Sequence, residues 1–166
     1  MSGEGGWDHR YNFDGFMNFA QFPRSSSVHS YIQFFRNGIV EATDAYLLGD
    51  AENTQRIPSM TFEKNLFKAL RNVFDVQSQA GISPPVLVML SLLAVRGYTM
   101  GVVDSGEPLH SRPIDRDSLV IPEVLVEQFG DDTARVLRPA FDAVWNATGW
   151  PGSIHYDESG NWVRPQ

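Results

Sequence analysis

The sequence contains no cysteine and only two lysines among its 166 residues. Without cysteine the chain has no disulfide, no thiolate nucleophile and no thiolate ligand for a metal. Its 20 acidic residues outnumber its 13 basic residues and give a net charge of −7. This charge repels a polyanion unless the basic residues gather on one face, so direct binding of nucleic acid is not expected.

Long hydrophobic runs are also lacking. The most apolar segment, residues 86–95, contains Ser91 and has about half of the roughly 20 residues that a membrane-spanning helix needs. The first residues carry no apolar segment that resembles the core of a signal peptide. We therefore expect a cytoplasmic protein without a membrane contact.

The composition is that of one folded domain. Hydrophobic residues make up 42% of the chain, which is enough for one sizeable core at this length. We expect a flexible N-terminus over residues 1–11 and a single α+β domain over residues 12–166. The predicted architecture is a mixed or antiparallel sheet with two main helices packed on it.

An Asn37-Gly38 pair gives the strongest local pattern, because it lies between two segments rich in apolar residues. Asn-Gly supplies the two positive φ angles of a type I′ turn, so the sequence predicts a β-hairpin at residues 30–47. A two-residue turn places Phe34 opposite Glu41.

Apolar residues at helical spacing predict the two main helices, at about residues 59–80 and 132–148. Ser59 or Thr61 is available to cap the start of the first helix, and Gly81 fits its C-terminal cap. These helices define the α component of the predicted fold.

Other segments predict further strands. Residues 15–20 favour a short strand, and the apolar residues 86–93 predict a strand that is covered on both faces. The short runs at 119–121 and 124–126 flank Pro122, which favours an edge strand followed by a turn or a short helix.

The densest acidic group lies at the end of a predicted long exposed loop, residues 104–117. Asp115, Asp117 and Glu123 could hold Mg²⁺ or act as an acid–base pair in a small hydrolase or nuclease-like enzyme. The alternative is a solvated loop without catalytic function. The four histidines lie far apart and show no ligand spacing, so no metal site is predicted.

Aromatic residues crowd the C-terminal segment, where residues 154–163 predict a terminal hairpin. Trp145, Trp150, Tyr156 and Trp162 could line an interaction surface or a ligand pocket. The alternative is a core that anchors the terminal hairpin on the last helix.

Basic residues share one face of the first predicted helix. Lys64, Lys68 and Arg71 follow the i, i+4, i+7 spacing. Such a face can contact nucleic acid or can simply be the solvated side of the helix.

Three segments resemble a known bacterial family: residues 30–41 (SYIQFFRNGIVE), residues 84–98 (PPVLVMLSLLAVRGY) and residues 137–146 (LRPAFDAVWN). They are similar to the C-terminal region of proteins whose N-terminal half is a Schlafen-AlbA-like DNA-binding domain, often described as ATP-binding proteins or transcriptional regulators. The resemblance extends over about residues 14–162, and the N-terminal domain of that family is not among these residues.

This resemblance implies an accessory module and assigns no catalytic or cofactor-binding residue. We expect a non-catalytic regulatory or interaction domain that serves self-association or effector sensing. Its expected partner is a second copy of itself or an attached DNA-binding domain.

Overall fold

A computed structural model of the chain describes residues 7–22, 27–48, 54–102 and 111–163. The chain divides into two compact units, Met1–Gly49 and Asp50–Gln166, and each is described by itself. Strands and helices are both present, which confirms the α+β class. A single domain over residues 12–166 stays a prediction.

The first unit is a four-stranded antiparallel sheet with the strand order β1-β2-β3-β4. Its strands are β1 (Trp7–Tyr11), β2 (Gly15–Gln21), β3 (Val28–Phe35) and β4 (Val40–Asp44). The predicted strand at 15–20 and the hairpin at 30–47 are therefore confirmed. Residues 7–11, which we expected to belong to a flexible N-terminus, form β1 because they pair with β2 along their whole length.

The hairpin register differs from the prediction by one residue. Phe34 pairs with Val40 rather than with Glu41. Of the Asn37-Gly38 pair only Gly38 has a positive φ, of 87°, whereas a type I′ turn needs two. The loop therefore has three residues with glycine at its left-handed position, and this length moves every residue of β4 to the opposite face from the predicted one.

The second unit contains both helices, α1 (Ser59–Gln79) and α2 (Thr133–Ala147), which confirms their predicted positions. Asp132 caps α2 by accepting a hydrogen bond from the Ala134 N–H at 3.0 Å. At α1 the N-cap position is Pro58 and carries no side-chain cap, so the predicted cap by Ser59 or Thr61 is wrong.

Three two-stranded sheets complete the second unit. In the first sheet, β5 (Arg56–Pro58) pairs in parallel with β8 (Thr99–Gly101). In the second, β6 (Val86–Val88) pairs antiparallel with β10 (Val124–Val126). In the third, β7 (Ser91–Leu93) pairs antiparallel with β9 (Ser118–Val120). The helices pack on each other, with α1 against β5 and α2 against β10. In the ranges given above, no helix is long and apolar enough to cross a membrane.

The apolar segment 86–93 is not the doubly covered strand that its composition predicts. It forms two short strands in which burial alternates, so that Leu92 is buried while Leu87, Met89 and Leu93 are exposed. Because each short strand pairs in a two-stranded sheet, one face packs on the core and the other faces outward. The apolar content of the segment does not show which of its residues are buried and which are exposed.

Candidate functional site

The predicted acidic cluster is not assembled. The carboxylate of Asp117 accepts a hydrogen bond from Arg96 at 2.9 Å, and that of Asp115 accepts one from Arg116 at 2.8 Å. These guanidinium hydrogen bonds lower the pKa of both aspartates. Within the described parts of the chain, no group of three residues that includes Glu123 or either aspartate could hold a metal ion. Of the loop at 104–117, residues 104–110 lie outside the described residues.

A buried carboxylate organises the second unit. Glu63 on α1 is completely inaccessible to solvent. One of its oxygens accepts hydrogen bonds from Trp145 Nε1 at 2.8 Å and from Ser153 Oγ at 2.7 Å. The other accepts from Trp162 Nε1 at 2.7 Å. Glu63 therefore ties α1 to α2 and to the C-terminal segment through three donors, as a buried charge requires.

A histidine lies beside this carboxylate. His155 is 2% exposed, and its Nε2 lies 3.1 Å from the hydroxyl oxygen of Ser59, which in turn donates its hydrogen to the Gly101 carbonyl at 2.8 Å. A hydroxyl has one hydrogen, so His155 Nε2 must be the donor in its contact with Ser59. Burial also lowers the pKa of His155, which favours the neutral ring. His155 therefore cannot take a proton from Ser59 in this arrangement.

Of the four aromatic residues singled out in the C-terminal segment, one is fully buried and the other three are half-buried. Trp145 is fully buried and contacts Trp150 edge to face, with ring centres 5.5 Å apart. Tyr156 is partly buried and donates its hydroxyl hydrogen to the Ala134 carbonyl at 2.6 Å, and burial raises its pKa. Most of these residues anchor the C-terminal segment on α2. Within that segment, an isolated antiparallel β-bridge joins Tyr156 to Trp162. Trp162 alone of the four also lines the groove described next.

A groove of about 550 Å³ runs between α1, the start of α2 and the C-terminal segment. We call it the basic groove and define it by Lys64, Phe67, Lys68 and Arg71 of α1 together with Trp162. The three basic residues that share a helical face in the sequence thus line the same groove as an aromatic residue about a hundred positions later.

The basic groove combines positive charge with flat apolar surface. Lys64 Nζ lies 5.4 Å from the centre of the Trp162 ring, a cation–π contact, and Phe67 meets the same ring edge to face at 5.3 Å. Asp132 also lines the groove, but its carboxylate is engaged as the cap of α2. Three cations therefore face one carboxylate that already has a partner, in a protein whose net charge is −7.

Several of these residues were not predicted to be functional. Ser59 and Glu63 lie four positions apart on α1, so the helical pattern brings them to one face, but charged residues are rarely buried and the pattern does not single out Glu63. His155 and Ser153 reach this centre only through the path of the C-terminal segment.

No family model, curated protein or solved structure matches this chain.

Proposed function

We propose that this chain is a non-catalytic regulatory domain that senses a small anionic effector in the basic groove. The observation that carries this proposal is that Lys64, Lys68 and Arg71 line one groove together with Trp162, whose ring Lys64 contacts. Amino and guanidinium groups bind phosphate and carboxylate groups, and an aromatic ring provides a face for a flat apolar group.

The dimensions of the groove support a ligand of moderate size. Pockets for small molecules usually measure about 300–1,000 Å³, and the basic groove at about 550 Å³ falls inside that range. The effector class that fits best is a phosphate or carboxylate with one flat ring. The ring would pack on Phe67 and Trp162 while the anionic group meets the three cations.

A path for reporting occupancy starts at Trp162. The Trp162 ring lines the groove, and its Nε1–H is bonded to buried Glu63, which also holds Trp145 of α2. An effector that reorients Trp162 would therefore change the hydrogen bonding of a core that includes both helices. An attached DNA-binding domain in the cytoplasm would be the receiver of this signal.

The proposal of a non-catalytic role is supported by the arrangement of Ser59 and His155. Their contact has the ring nitrogen as donor, and Ser59 gives its own hydrogen to Gly101. The residues that most resemble a nucleophile and its base are thus used to hold the fold.

Titration calorimetry with phenyl phosphate tests the proposal, with inorganic phosphate and phenol as probes of the two halves of the ligand. We expect phenyl phosphate to bind more tightly than either, and Lys64→Gln with Lys68→Gln to weaken its binding by about tenfold or more. Arg116→Gln is the matched control, because it removes an exposed charge that is paired with Asp115.

Equal affinity in the double variant and the native protein would overturn the groove as the site, as would the absence of phenyl phosphate binding. Release of phenol and phosphate during the titration would contradict a non-catalytic role.

A further inference from the structure

The outer strand of the first unit carries a pattern that the effector proposal does not use. β1 is the edge strand of the four-stranded sheet, and all five of its residues are exposed. Trp7 is 60% exposed and Tyr11 is 83% exposed. An edge strand presents free N–H and C=O groups that another strand can pair with.

Hydrogen bonding next to β1 shows which of its groups point outward. Asn12 and Gly15 exchange both backbone hydrogen bonds, at 2.9 and 3.3 Å. Such doubly bonded pairs alternate with pairs that are not bonded along an antiparallel ladder. The backbone groups of Trp7, His9 and Tyr11 therefore point away from β2, toward the free edge.

A side-chain contact agrees with this alternation. The His9 N–H donates to the Asp8 carboxylate at 2.8 Å, so it is not used by β2. The Asp8 carboxylate thus occupies the N–H group at the centre of the free edge. A carbonyl of a pairing strand would have to replace this carboxylate as the acceptor.

The five residues of β1 are complementary to themselves about His9. In antiparallel pairing with a two-fold axis at His9, Asp8 of each strand lies opposite Arg10 of the other, and Trp7 lies opposite Tyr11. Opposite charges and aromatic pairs are favourable cross-strand neighbours. Each of these pairs occurs twice, as two-fold symmetry requires.

The charges select this register over its neighbours. The groups that point outward belong to alternate residues, so the axis can move to position 8 or to position 10. An axis at Asp8 places two carboxylates directly opposite each other, and an axis at Arg10 does the same with two guanidinium groups. Like charges directly opposite are destabilising, so the register centred on His9 is the favourable one.

We propose that β1 pairs with β1 of a second copy of this chain and joins the two four-stranded sheets into one of eight strands. The Asp8 carboxylate would release the His9 N–H to the carbonyl of the second copy and turn to Arg10 of that copy. Arg10 now has only weak partners among the described residues, the Met17 sulfur at 3.8 Å and the face of Phe19 at 5.5 Å. This inference is independent of the basic groove, because it rests on the first unit alone.

Charge exchange at the two positions tests the register directly. We expect sedimentation equilibrium to show a dimer in the native protein at low salt, and Asp8→Arg or Arg10→Asp alone to raise the dissociation constant by about tenfold or more, because two attractive pairs become repulsive. The variant that carries both changes restores the opposite charges and should dimerise like the native protein. Glu41→Arg is the matched control, since it makes the same change in charge on the other edge strand.

Mixing the two single variants gives the most specific outcome. One strand then carries two positive charges and the other two negative charges, so heterodimers should form where neither variant dimerises alone. His9→Pro should abolish dimerisation without disturbing β2, because it removes only an outward N–H. Weak dimers form at concentrations up to about 0.5 mM. A native protein that stays monomeric at that concentration would overturn the proposal. So would single variants that dimerise like the native protein.

Discussion

Replacing Glu63 by glutamine tests the buried centre of the second unit. The amide keeps the shape of the carboxylate and one acceptor oxygen, but it puts an NH₂ group where the second oxygen was. Because Trp145 and Ser153 share one oxygen and Trp162 has the other, the less costly orientation turns the NH₂ toward Trp162. Two donors then face each other in a site without solvent.

The magnitude follows from the loss of one buried hydrogen bond to a charged acceptor. Such a loss costs about 1–3 kcal/mol, which lowers the melting temperature of a chain of this length by roughly 2–12 °C. Glu63→Ala would leave three donors unpaired, at about 3–9 kcal/mol, comparable to the whole stability of an ordinary domain. Glutamine is therefore the informative substitution, because the protein should still fold.

The assay is urea unfolding followed by far-ultraviolet circular dichroism, in the native protein, Glu63→Gln, Trp162→Phe and the double variant. Trp162→Phe removes the donor that opposes the new amide, so Glu63→Gln should cost less in that background, by about 1 kcal/mol. Full additivity would refute the assigned hydrogen bonds, and so would a Glu63→Gln protein as stable as the native one.

Three further predictions concern other parts of the molecule. Burial lowers the pKa of His155 below its unfolded value of 6.5, so protonation favours the unfolded chain. When the melting temperature is measured from pH 8 to pH 5, it should start to decrease once the pH is lower than about 6.5. His155→Gln should make that decrease smaller. Gly15→Ala should destabilise the first unit by about 2–4 kcal/mol. Gly15 has a φ of 150°, and a Cβ there would lie 2.0 Å from a β3 carbonyl oxygen. Gly130→Ala is the control, because its Cβ meets nothing within 4 Å and the urea midpoint should stay unchanged. The hydrogen bond to Glu41 raises the pKa of Tyr31, so Glu41→Gln should lower that pKa in an ultraviolet titration, and an unshifted titration would show that the contact does not form in solution.

The helices could be predicted from the sequence because local rules determine them. The spacing of apolar residues on α1 and α2 and the predicted glycine cap, Gly81 at φ 78°, agree with the structure. The hairpin register could not be predicted, because an Asn-Gly pair fits both a two-residue turn and a three-residue loop. The two kinds of loop are distinguished only by the complete pairing of β3 with β2 and β4.

The site was predictable only in its local half. Helical spacing places Lys64, Lys68 and Arg71 together, since residues four and seven positions apart share a face. No local rule brings Trp162 to that face or buries Glu63 beneath it. Both results depend on how the C-terminal segment returns across α1, which is a property of the tertiary fold.

The effector site can be tested most directly through the indole N–H signals in ¹⁵N-resolved NMR spectra during a titration with phenyl phosphate. The basic groove predicts a saturable shift of the Trp162 signal, no shift of the Trp7 signal in the first unit, and loss of the Trp162 shift in the protein with Lys64→Gln and Lys68→Gln. Equal shifts of the two indoles, or a Trp162 shift that survives the double substitution, would contradict an anion site in this groove.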